Sequence, residues 1–86
     1  MIVAVRHARA EALDRLEPLL EELRDISGLR EKSRGVFYRG SKAYLHFHED
    51  GDNLFADVRL GVDFERLNVT TRAAQDDLVR EIRASL

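Results

Sequence analysis

Two histidines stand two residues apart in Ala43-Tyr44-Leu45-His46-Phe47-His48-Glu49-Asp50, and an aspartate follows in Leu54-Phe55-Ala56-Asp57-Val58-Arg59-Leu60. On a β-strand, positions i and i+2 point the same way, as two imidazole ligands of one metal ion must. Asp57 would supply an oxygen donor, and zinc sites with two histidines and one carboxylate are common. A divalent metal at His46, His48 and Asp57 is therefore one expectation. The spacing has low specificity, because His-x-His also occurs in strands that hold no metal. A histidine–aspartate pair could also act as an oriented general base, but no nucleophile accompanies it. There is no Cys; Ser27, Ser33, Ser41 and Ser85 fall in loops or near the end of the chain, outside any Gly-x-Ser-x-Gly context. The five glycines are scattered rather than gathered into a phosphate-binding loop. No catalytic residue is assigned, and the reading leans away from an enzyme.

The elements that would position these residues follow from periodicity. From Ala8 to Ile26, Leu13, Leu16, Leu20 and Leu23, with Leu19 and Ile26 beside them, repeat at helical spacing. Pro18 lies inside the pattern and should kink the helix or begin a second segment, Pro18 to Asp25. Gly28 suits the left-handed closing conformation. From Gly35 the period becomes that of strands. Gly35–Arg39, Ala43–Glu49 and Leu54–Leu60 are separated by Gly40-Ser41 and by Asp50-Gly51-Asp52-Asn53, both with hairpin chemistry. Leu67 and Val69 alternate with Arg66, Asn68 and Thr70 and predict a short fourth strand. Thr70 or Thr71 then caps a final helix with the apolar stripe Ala74, Leu78, Val79, Ile82 and Leu86. Met1–Val5 fits an edge strand or an early helical turn equally.

These elements predict a two-layer α+β fold, an antiparallel three- or four-stranded meander with N- and C-terminal helices packed on one face. Parity sorts the strand side chains. Leu54, Ala56, Val58 and Leu60 share a face with Ala43, Leu45 and Phe47, and a turn on Gly40-Ser41 adds Val36 and Tyr38. The opposite face then carries Phe37, Arg39, Tyr44, His46, His48, Phe55, Asp57 and Arg59. If the hairpin turns on Gly51-Asp52, His46 lies opposite Asp57 and Tyr44 opposite Arg59. If it turns on Asp50-Gly51, His46 lies opposite Phe55.

At 86 residues the chain is expected to be a single domain, 1–86, with one modest core. Its 44% hydrophobic and 35% charged residues are those of a globular protein. The absence of Cys fits a reducing compartment, and Met1–Val5 is too short and wrongly flanked for a signal peptide or membrane span, so the cytoplasm is expected. The net charge of −2 and a pI near 5.9 disfavour general nucleic-acid binding. Locally, however, Phe37, Tyr44 and Phe55 with Arg39 and Arg59 could stack unpaired bases, and Arg30, Lys32, Arg34, Arg39 and Lys42 form a basic stretch. The same aromatic face could instead be covered in a homodimer.

The segment from Gly35 to Leu60 resembles a family of short bacterial proteins of unassigned function. More distantly, the order of elements resembles the MmcQ/YjbR-like proteins, in which an N-terminal helix ends near a glycine (here Ser27-Gly28-Leu29), a strand pair turns on a Gly-Lys-type bend and a helix follows. That resemblance implies a fold and wing-like hairpins suggestive of DNA binding, and no functional residue carries over from it. The expectation is thus a non-enzymatic binding or interaction module, self-associating as a homodimer, that uses Phe37, Tyr44, His46, His48, Phe55, Asp57 and Arg59. A metal or small-molecule site at His46, His48 and Asp57, and a single-stranded nucleic-acid surface, stand as alternatives.

Overall fold

A computed structural model describes residues 5–86. In chain order the elements are β1 (Arg6–His7), α1 (Ala10–Arg24), β2 (Arg30–Ser33), β3 (Val36–Arg39), β4 (Lys42–Asp50), β5 (Asn53–Val58), β6 (Glu65–Asn68) and α2 (Arg72–Ser85). The strands form one antiparallel sheet in the order β2-β3-β4-β5-β6, and β1 pairs with β4 beyond the end of β3. The α+β class and the helix-covered face are as expected, while the sheet is larger than three or four strands. The residues left undecided, Met1–Val5, lie outside the described ones except for Val5, which has no regular structure.

α1 runs unbroken through Pro18, so two helices rather than three helical segments are present among the described residues. Pro18 is exposed, and the hydrogen bond it omits falls on the water side, where solvent satisfies the freed carbonyl. Ala12, Leu16, Leu19, Leu20 and Leu23 of α1 are buried with Leu78, Val79 and Ile82 of α2 against Leu45, Phe47, Leu54, Ala56 and Val58 of the sheet. Thr71 caps α2, its hydroxyl accepting from the Ala74 N–H at 3.2 Å. No helix among the described residues is long and apolar enough to cross a membrane.

Two hairpins fix the register. Arg39 pairs with Lys42 around Gly40-Ser41, and Asp50 pairs with Asn53 around Gly51-Asp52. The first turn residue of each is a glycine at positive φ, 62° and 59°. No other residue type adopts positive φ among the described residues, which is the pattern of a type II′ turn. The second hairpin places Leu45 opposite Val58, His46 opposite Asp57 and Phe47 opposite Ala56. A third hairpin, β2–β3, turns on Arg34-Gly35. Its outer strand, Arg30-Glu31-Lys32-Ser33, has no apolar alternation and forms a charged edge.

Alternation breaks between β3 and β4. Phe37 pairs with Leu45 and Tyr38 with Ala43, leaving Tyr44 as the extra residue of a β-bulge. A bulge rotates the chain, so Tyr44 and Leu45 both turn inward and Phe37 follows its partner Leu45. Phe37 and Tyr44, expected on the open face, are therefore core residues, 0% and 2% exposed. The Tyr44 hydroxyl hydrogen-bonds Ser85 Oγ of α2 at 3.2 Å. Val36, expected in the core, is only half-buried.

Candidate metal centre

On the sheet face that the helices leave open, cross-strand pairing sets two rows of side chains. His7 of β1, His48 of β4, Phe55 of β5 and Asn68 of β6 make one row; His46, Asp57 and Arg66 make the next. Cross-strand neighbours stand close enough for polar side chains to meet directly and along the diagonal. Asp57 is the focus. Both its oxygens accept from Arg66, Oδ1 from Nε and Oδ2 from Nη2, each at 2.8 Å. Oδ2 also lies 3.0 Å from His48 Nε2 and 3.5 Å from His46 Nε2.

His48 Nε2 is shielded from solvent and close to Asp57 Oδ2, yet the two are not aligned for a hydrogen bond. Buried nitrogens are seldom left without a partner. Burial, more than any neighbouring charge, pushes both imidazoles below their usual 6.5, although Asp57 pulls them the other way. Near neutral pH both rings are thus uncharged and carry a lone pair. Hydrogen bonding from Arg66 holds the Asp57 carboxyl below its usual range, against the effect of partial burial. Asp57 is therefore ionised.

His7 and Phe64 complete the surroundings. The His7 ring lies 4.7 Å from the His48 ring and 6.0 Å from that of His46, while the histidine pair itself is 4.9 Å apart. Phe64, in the β5–β6 connection, meets His46 edge-on at 5.3 Å and lies under the Arg59 guanidinium at 4.4 Å. Arg59 is thereby placed on this face, its Nε and Nη1 donating to the carbonyls of Ala43 and Val62.

Of the residues read from sequence, His46, His48, Phe55, Asp57 and Arg59 come together on the open face, and Phe37 and Tyr44 do not. His7, Phe64 and Arg66 were missed. Alternation along Arg66-Leu67-Asn68 placed Arg66 on a side but not in register with Asp57. A two-residue β1 and an irregular loop leave no periodicity that would reveal His7 or Phe64.

Two imidazole nitrogens and one carboxylate oxygen, all within 4.8 Å of one another, form the one group of three or more such side chains able to hold a metal among the described residues. Donors bound to one ion at about 2.1 Å stand roughly 3.0–3.4 Å apart, close to the 3.0 and 3.5 Å that separate Asp57 Oδ2 from the two nitrogens. Arg66 need not be displaced, because a carboxylate oxygen has two lone pairs and can accept an N–H while it binds a cation. Fold and site together define an antiparallel α+β domain that displays a His-His-Asp cluster on its uncovered sheet face. Set against known protein families, curated proteins and solved structures, the chain matches none.

Proposed function

We propose that this protein is a small binding module whose open sheet face takes up a late first-row divalent cation, of which zinc is the type, through His46 Nε2, His48 Nε2 and Asp57 Oδ2. The observation that carries this reading is the shielded His48 Nε2, aimed to share no hydrogen bond and 3.0 Å from an ionised carboxylate oxygen. A cation between the two would give His48 Nε2 the partner it lacks while Asp57 keeps its bonds from Arg66. Mixed nitrogen and oxygen donors favour zinc and its neighbours over magnesium or calcium. Three protein ligands leave at least one coordination position for water, a small ligand or a further side chain, and the His7 ring is nearby. Phe37 and Tyr44, two of the three aromatics that the base-stacking reading relied on, lie in the core, which weakens that reading relative to the cation. Calorimetric titration with zinc tests it. Wild type should bind one equivalent and His46→Ala/His48→Ala none. Absence of heat with wild-type protein would remove the proposal.

A further inference from the structure

At the far end of the same sheet, around the Gly40-Ser41 turn, an open depression of about 340 Å³ is lined by Arg39, Lys42, Ala43, Tyr44, Arg59, Leu60 and Gly61. Three of these carry positive charge and none carries negative charge. None of the three cations has a carboxylate within ion-pair distance among the described residues. Elsewhere Arg9, Arg24, Arg34, Arg66, Arg72 and Arg80 are each matched to an acid, while Arg6, Arg15, Arg30, Lys32 and Arg83 have no ion pair among the described residues, so it is the gathering of three unmatched cations around one depression that sets this place apart. Moreover, Arg39 and Lys42 are direct cross-strand partners, and like charges placed opposite one another destabilise a sheet. That repulsion is relieved when an anion lies between them.

Arg59 supplies the ordered part of the depression. Two backbone carbonyls and the Phe64 ring hold its guanidinium, and the bonds use Nε and Nη1, leaving Nη2 free. A guanidinium already fixed in place loses less freedom on meeting an oxyanion than a mobile one. We infer that this depression binds the phosphate group of a small molecule, with Arg59 as the fixed contact and Arg39 and Lys42 closing on the outer oxygens. Three cations suit a multiply charged phosphate better than a single carboxylate. The space is that of a small-ligand site. This inference does not rest on cation binding, since it uses none of His46, His48 or Asp57 as a contact; the two places touch through Phe64, which meets both His46 and Arg59.

The probe is pyrophosphate, titrated calorimetrically into the full chain in metal-free, low-salt buffer. One site is expected, weakened as sodium chloride is raised. Arg39→Gln/Lys42→Gln, two exposed changes that break no hydrogen bond of the fold, should weaken binding by about tenfold or more. His48→Ala, which leaves the His46 ring against Phe64, should leave it unchanged. Amide shifts in the wild-type protein should move at Gly40, Ser41 and Gly61, which keeps the test independent of any variant's stability. The inference is overturned by absence of binding, by equal affinity in the Arg39/Lys42 variant, or by shifts confined to other regions. Much tighter capture of a single-stranded oligonucleotide through the same residues would also overturn it, replacing the small molecule by nucleic acid.

Discussion

Replacing Asp57 by Asn keeps the shape of the side chain and removes the one negative charge in the candidate centre. A carboxylate whose charge is centred about 3 Å from a divalent ion contributes roughly 3 kcal/mol even at the dielectric constant of water. Asp57 is 14% exposed, so its surroundings screen less than water and this figure is a floor. The expected loss of zinc affinity is on the order of a hundredfold or more. The fold should lose far less. Arg66, the partner of Asp57, is 45% exposed, and ion pairs this open contribute about 1 kcal/mol or less. Calorimetric titration near pH 7.5 gives the affinity, and urea denaturation of the metal-free protein reports stability. A folded Asp57→Asn protein that bound zinc within about threefold of wild type would refute the carboxylate's role as a ligand.

Other outcomes follow from the same geometry. Tyr44→Ala should cost about 3–5 kcal/mol in urea denaturation if Tyr44 is the core residue described, because it empties a space under α2; a loss below about 0.5 kcal/mol would return Tyr44 to the surface. Gly35, at φ 79°, would bring an added Cβ to 2.7 Å from Leu13 Cδ2. Gly35→Ala should therefore destabilise by at least about 1 kcal/mol, checked by the same denaturation. His46 and His48 titrate below 6.5 when folded and near 6.5 when unfolded, so the unfolded chain binds more protons in that window. The stability of metal-free protein should be level just above 6.5 and fall as pH drops beneath it. His46→Gln/His48→Gln should flatten that slope, and an unaltered slope would place the titration elsewhere.

The parts of this arrangement legible in the chain were those governed by local rules. Glycine-first turns and strict alternation from Leu45 to Val58 predicted that His46, His48 and Asp57 share a face, and a turn on Gly51-Asp52 is what sets His46 against Asp57. The bulge at Tyr44 is different in kind. Nothing in Lys42-Ala43-Tyr44-Leu45 marks an extra residue; the gain comes from burying two aromatic rings and joining the Tyr44 hydroxyl to α2, a partner 41 residues away. β2 escaped notice for the opposite reason, being all polar and held by backbone pairing at an edge. Pro18 illustrates a rule weakened by placement, since on the solvent side of α1 its missing hydrogen bond costs little.

The imidazole nitrogens themselves report whether a cation sits between His46, His48 and Asp57. In protein labelled with ¹⁵N at histidine, stoichiometric zinc should shift the Nε2 resonances of His46 and His48 together, saturating at one equivalent, with Asp57→Asn moving saturation to a large excess of zinc. Resonances that stay in place, or that move in the Asp57 variant as they do in wild type, would contradict a metal centre on this face.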